Sequence, residues 1–110
     1  MTPRCQFNVQ WTDSAALDLN GVIDFIAQRD INAGVQILHE LRLKADSLCQ
    51  FPERGRVVPE LQAQKVILYR ELLHKSWRIV YRIEAAKVYV LAVLDAQRNV
   101  EDLLLSRLIR

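Results

Sequence analysis

Five arginines, Arg56, Arg70, Arg78, Arg82 and Arg98, carry the recurrent chemistry of this chain, with Glu60, Glu71, His74 and Lys75 as companions. Guanidinium forks hold phosphates and carboxylates bidentately, and a cluster of them can stabilise the charge that develops on a phosphate as it is cleaved. Proton transfer is a separate demand. Arg keeps its proton, so an acid or base role falls to His74 or to a carboxylate. Each residue also has a bland alternative. Arg56 and Glu60 stand four residues apart and suit a structural pair within one loop. Arg70 and Glu71 are strand neighbours that point to opposite faces, so they do not pair automatically. His74, placed in a turn, reads as solvated. No Gly-rich phosphate loop, H-E-x-x-H run or nucleophile elbow occurs. His39 lacks a partner at ligand spacing, so neither a metal site nor a cofactor is expected.

The elements that must position these side chains follow from hydrophobic spacing. Residues 5–11 alternate apolar and polar, as a strand with one wet face does. Thr12 or Asp13 then caps a helix whose stripe is Ala16, Leu19, Val22, Ile23 and Ile26, with Gly21 allowing close packing. Asp30 caps a second helix with the stripe Ile31, Val35, Leu38, Leu41, Ala45 and Leu48, and Pro52 ends it. The short link between them predicts an antiparallel hairpin. Residues 51–64, with Pro52, Gly55 and Pro59, form the one clear loop.

Three strand-like runs follow, Val66 to Leu72, Trp77 to Ile83 and Val88 to Leu94, with four-residue connectors that imply an antiparallel meander. In the middle run Trp77, Ile79, Tyr81 and Ile83 share one face and Arg78, Val80 and Arg82 the other. Closing the second connector sets Ile83 opposite Val88, Arg82 opposite Tyr89 and Arg78 opposite Val93. Arg78 then has no acidic neighbour within its strand, which implies that Arg78→Ala leaves folding intact. The last run is apolar on both faces and reads as a central strand. Asn99 caps a short final helix with Val100, Leu103, Leu104 and Leu108 on its apolar face. The result is an α+β fold in one domain over residues 1–110. An N-terminal strand, an antiparallel helical hairpin, a three-stranded antiparallel meander joined to the first strand in one sheet, and a short C-terminal helix make it up.

A length of 110 residues with 51% hydrophobic and 25% charged residues suits one folded globular domain. The net charge of +2 conceals an asymmetry. Residues 1–51 hold four Lys/Arg against six Asp/Glu, whereas residues 52–98 hold nine against five. An anionic partner would be drawn to the sheet segment. Cys5 and Cys49 have no metal spacing and read as small core hydrophobes in a reduced compartment, the alternative being a disulfide or a reactive thiol. With no leader pattern and no apolar run near ~18 residues, the expectation is a cytoplasmic protein with no membrane contact.

Several motifs stand in a telling order: Trp11-Thr12-x-Ser14-Ala15-x-x-Asp18-Leu19-x-x-Val22-Ile23, Pro52-x-x-Gly55-Arg56-x-Val58-Pro59-Glu60-Leu61, Tyr69-Arg70-Glu71-Leu72, Trp77-Arg78-Ile79-Val80-Tyr81-Arg82 and Val93-x-x-x-x-Arg98. From about Gln6 to Arg107 this order resembles the RelE/ParE superfamily of bacterial toxins. The resemblance implies a type II toxin–antitoxin pair in which a cognate antitoxin wraps and neutralises the toxin, a hetero-oligomer. Members divide between ribosome-dependent mRNA cleavage and poisoning of DNA gyrase. Cleaving members carry lysines on the strand matching Val66 to Leu72, arginines matching Arg78 and Arg98, and a tyrosine or histidine in the tail. Here Tyr69 and Glu71 take the lysine positions and Leu104 falls near the tail tyrosine. A carboxylate at that place repels phosphate.

The resemblance therefore implies a gyrase-poisoning toxin of the ParE type. The alternatives are a ribosome-dependent endoribonuclease acting on mRNA, with Arg78 and Arg98 catalytic and Glu60, Glu71 or His74 moving protons, and a non-toxic RNA-binding module of the same fold. Target or phosphate contacts are expected from Arg56, Arg70, Arg78, Arg82 and Arg98. Antitoxin contacts are expected from Val90, Leu94, Leu104 and Leu108.

Overall fold

A computed structural model describes residues 5–96 and 106–107. The chain begins with strand β1, Asn8–Trp11, and turns at once into helix α1, Asp13–Ala27. The Thr12 side chain caps α1 by accepting the Ala15 N–H at 3.2 Å. Asp30 caps helix α2, Ile31–Asp46, by accepting the N–H groups of Asn32 and Ala33. A 3-10 turn, Ser47–Cys49, ends the hairpin.

The expected stripes hold for Leu19, Val22, Ile23 and Ile26 of α1 and for Leu38, Leu41, Ala45 and Leu48, which pack in the main core, and fail at Ala16, Ile31 and Val35. On α1 the buried positions are Ala15 and Leu19, and Ala16 is exposed. On α2 they are Gly34, Ile37, Leu41 and Ala45, whereas Ile31 and Val35 lie open to solvent. Gly34 lies against α1. A Cβ there would meet the Ala27 Cβ at 3.2 Å and the Ile23 carbonyl at 3.3 Å, so the absence of a side chain lets the two helices pack closely at this point. Gly21, expected to permit close packing, has nothing within 4 Å of a built Cβ.

Residues 51–64 contain more than a loop. Strand β2, Arg56–Val57, and the short helix α3, Pro59–Gln62, lie within them. Strands β3, Tyr69–His74, β4, Trp77–Glu84, and β5, Lys87–Asp95, complete one five-stranded sheet in the order β1-β5-β4-β3-β2. β1 runs parallel to β5, and the other pairs are antiparallel. β3 begins three residues later than its apolar run, and Ile67 and Leu68 stay exposed. Both connectors are tighter than expected. Lys75 and Ser76 close β3 to β4, and Ala85 and Ala86 close β4 to β5, with Lys75 and Ala85 in the left-handed region at φ 53° and 54°.

The sheet separates two apolar clusters. Trp77, Ile79, Tyr81 and Ile83 of β4 pack toward the helices with Leu72, Val88, Val90 and Val93, as the period of two requires. Val80 faces the other way, into a smaller cluster with Val58, Leu61, Tyr69, Ala92 and Leu94 that α3 covers through Leu61. β5 serves both clusters because of a register shift. Val80 pairs with Ala92 and Tyr81 with Val90, so Leu91 is the extra residue and the alternation of β5 inverts there. Ile83 opposite Val88 and Arg82 opposite Tyr89 hold as expected, but the bulge moves Arg78 opposite Leu94 instead of Val93.

The inverted stretch is tied from outside the sheet. Asp18 accepts the Val93 N–H at 3.1 Å and binds Arg107 through both oxygens at 2.9 Å, and Arg107 also donates to the Leu91 carbonyl at 3.0 Å. Ser106 and Arg107 are helical, while the rest of the expected final helix lies outside the described residues.

For the cysteines the alternative holds and the reading as core thiols is corrected. Cys5 and Cys49 form a disulfide, Cys5 being exposed and Cys49 half-buried, instead of two buried thiols. Both Gln6 and Phe7 donate their N–H groups to the Cys49 carbonyl at 3.0 Å, which already draws the two segments together. No helix among the described residues is long and apolar enough to cross a membrane.

Candidate functional site: a compensated arginine cluster

Cross-strand pairing fixes which arginines can act together. Residues directly opposite one another share a face, so Arg56 lies beside Glu71, Leu73 beside Arg78, and Arg82 between Tyr69 and Tyr89. All of these stand on the face away from α1 and α2. Arg70 pairs with Tyr81 and therefore points to the helical side. The expected set of sheet arginines is thus divided by the sheet itself, and Arg98 lies outside the described residues.

Arg78 is the centre of the cluster and is not unpartnered. Its Nη1 donates to both Glu60 oxygens at 2.9 and 2.8 Å and to Glu71 Oε1 at 3.2 Å, while Nε donates to the Ala96 carbonyl at 2.9 Å. Glu71 sits diagonally across the β3–β4 hairpin. Glu60 arrives from α3, where Pro59 opens the helix and the buried Leu61 holds it on the sheet. Arg56 completes a chain of alternating charges through Nε and Nη2, each 2.7 Å from Glu71 Oε2. The expected Arg56–Glu60 pair is replaced by Arg56–Glu71, because β2 pairing brings Glu71 directly opposite Arg56.

Exposure grades the four side chains. Glu71 is 0% exposed, Arg78 12%, Glu60 26% and Arg56 53%. A carboxylate fully withdrawn from water needs its two guanidinium partners, so Glu71 is the fixed centre and the Glu60 and Arg56 ends are the accessible ones. Partial burial pulls the Glu60 carboxyl upward, but the hydrogen bond from Arg78, a backbone hydrogen bond and the charges of Arg78 and Arg56 together outweigh it. Glu60 is held below the ordinary Glu value of 4.5. With two Arg and two Glu the cluster is formally neutral, so the expected basic face is cancelled at its centre.

The remaining candidates have other duties. Arg70 Nη1 donates to the Gly55 carbonyl at 2.8 Å, on the turn that the Tyr81 hydroxyl also holds. That hydroxyl donates to the Pro52 carbonyl at 2.6 Å and accepts the Gly55 N–H at 3.0 Å. Gly55 is glycine for lack of room, since a Cβ would lie 2.6 Å from both the Glu71 carbonyl and the Tyr81 hydroxyl. Arg82 packs over the Tyr89 ring, 5.6 Å from its centroid, and pairs with Glu84 at 2.9 Å. It stands one row away from the cluster and does not join it.

His74 is neither solvated nor near Arg78. It pairs with Trp77 on the helical side, and its Nε2 lies 2.7 Å from Glu40 Oε1, which Lys75 also approaches at 3.2 Å. The hydrogen bonds from His74 and Lys75 lower the Glu40 carboxyl. Val90, 0% exposed, and Leu94, 4% exposed, are core residues and offer no surface to an antitoxin. Leu104 and Leu108 lie outside the described residues. No group of three His, Cys, Asp or Glu among the described residues could hold a metal ion.

Sequence reasoning missed the Glu60–Arg78–Glu71 contact because it treated each strand's own neighbours as the source of partners. The expected four-residue connector would itself set Glu71 opposite Arg78, and the observed two-residue closure at Lys75 and Ser76 sets it diagonally across instead. The Asp18–Arg107 pair carried no signal beyond the Asp18 position in the first motif.

The comparisons agree with this architecture. The model of the ParE toxin of type II toxin-antitoxin system, parDE, matches residues 9–100. Toxin RelE2 of Caulobacter vibrioides is 29% identical over 90 residues, spanning 82% of this chain and 96% of that protein. The solved structure described as the chromosomal ParDE TA system from P. aeruginosa superposes with a TM-score of 0.69 at 18% identity. It covers 86% of this chain and 100% of its own, a likeness of fold alone. With a family match that runs from β1 through β5, the chain belongs to the ParE toxin family, within the RelE/ParE superfamily of type II toxin–antitoxin toxins.

Proposed function

We infer that this toxin inhibits growth by binding a protein target, DNA gyrase, rather than by cutting RNA, and that a cognate antitoxin holds it in check as a hetero-oligomer. The neutralised arginine cluster carries this reading. Arg78 spends its charge on Glu60 and Glu71, and the carboxylates stand where a scissile phosphate would need cations. His74 supports it too, being turned to the opposite face and engaged with Glu40. Leu17 and Phe25 on α1, with Ile31 and Val35 on α2, are exposed apolar side chains suited to an antitoxin that wraps the helices.

Controlled induction in bacteria tests the target. Filamentation with DNA damage, together with loss of supercoiling by purified gyrase, is the expected outcome. Prompt arrest of translation with cleaved transcripts overturns it in favour of the ribosome-dependent endoribonuclease. That second reading draws on one observation, the solvent-reachable Glu60 carboxylate 2.8 Å from Arg78, which would serve as the base beside a phosphate-holding arginine. A well-expressed protein with no effect on growth leaves the non-toxic module.

A further inference from the structure

The four members of the charge cluster are not equivalent. Glu71 binds both arginines and is wholly buried, so it cannot leave without stranding charges. Glu60 binds only Arg78 within the cluster, reaches solvent, and rides on a four-residue helix. It is the one carboxylate whose place another anion could take. If it swings out, Arg78 and the half-exposed Arg56 flank a seat of net charge +1, with Glu71 fixed behind them.

The chemistry around that seat selects its occupant. Leu73 stands directly opposite Arg78 on the same face and is 44% exposed, an apolar neighbour on the rim. A seat of +1 matches one carboxylate or one phosphodiester alike, and the exposed Leu73 beside it favours a protein segment, which can set an apolar side chain next to its carboxylate. We propose that Glu60 is an internal stand-in for a partner's carboxylate, and that the Arg56–Arg78 seat receives an Asp or Glu flanked by an apolar side chain on a protein segment. The proposal rests on the reading of this toxin as a protein-binding one, and it names the contact that such a partner would make.

Glu60 therefore sets specificity. It competes with weak or isolated anions and yields to a carboxylate whose neighbour also covers Leu73. Binding by the purified full chain tests this apart from any effect on growth, so toxicity and docking can fail separately. The probe is the peptide acetyl-Leu-Glu-Leu-Glu-Leu-amide, compared with its Gln counterpart and with a single-stranded RNA of equal length, titrated calorimetrically and followed by the carbon resonance of the Glu60 carboxyl. The acidic peptide should move that resonance, and Glu60→Gln should bind it about tenfold more tightly, a gain of about 1.4 kcal/mol. Arg56→Gln and Leu73→Ser should each weaken it, and the Gln peptide should not compete. An unchanged affinity in Glu60→Gln, a Glu60 resonance that the peptide leaves still, or displacement by RNA in preference to peptide overturns the proposal. Should Glu60→Gln fail to fold, the resonance in the wild-type chain decides alone.

Discussion

At the scale of the residue, Arg78 changes from an unpaired surface cation to the link between two carboxylates. Its removal is now expected to destabilise the fold, contrary to what its strand neighbours alone imply. Arg78→Ala leaves the buried Glu71 with one partner, and Glu71→Ala leaves a guanidinium 12% exposed without its inner carboxylate. Each should cost about 3–5 kcal/mol, the range for breaking one side of a buried pair. Chemical denaturation checks this, and a change below about 1 kcal/mol in both would show that solvent compensates the charges. The arginines themselves were legible in the sequence as a recurring residue type. Their neutralisation was legible only in part, since closing the first connector brings Glu71 beside Arg78, whereas Glu60 arrives from a separate element.

Elements bring a second lesson, which the glycines make testable. Gly21 lies exposed in the interior of α1 with open space around it, so Gly21→Ala should stabilise by about 0.5–1 kcal/mol through helix propensity. Gly55 lies just before β2, beneath the Tyr81 hydroxyl and against the backbone of β3. Gly55→Ala must push these apart and should destabilise by about 1–3 kcal/mol or more. Thermal melts of the two variants should therefore shift in opposite directions. Sequence alone marked Gly21 as the packing glycine and Gly55 as a loop residue. The assignment reverses because room for a Cβ is a property of the neighbouring element.

For the whole molecule, two linkages act on stability. The Cys5–Cys49 bond spans a sequence separation of 44. By the chain-entropy relation, closing a loop of that size stabilises by about 4 kcal/mol. Reductant, or Cys5→Ser, should lower the melting temperature clearly. An unchanged melt under reduction would mean that the backbone bonds from Gln6 and Phe7 to Cys49 already hold the ends. The second linkage is to protons. Glu60 and Glu40 both have folded values below the ordinary 4.5, so the unfolded chain takes up their protons first. Their contribution is fully present above that value and is lost as pH falls through the lower, folded values. Stability should drop on acidification below about pH 4.5, and Glu60→Gln should flatten the drop in denaturation curves.

Period-two and period-3.6 spacing determined β1, α1, α2, β3, β4 and β5, their order and the two faces of β4 from the sequence by itself, though not β2 and α3, because such spacing is a local property of the backbone and needs more than a few residues to show. Trp77, Ile79, Tyr81 and Ile83 accordingly face the helices as their alternation requires. Tertiary structure alone decided the parallel seat of β1 beside β5, the inversion of β5 at Leu91 and the choice of Gly34 as the helix contact. It also decided the pairing of Arg78 with Glu60 and Glu71, which turns a run of basic residues into a neutral, partly masked site. These features depend on register and on approach between distant segments, where a shift of one residue moves a side chain to the opposite face.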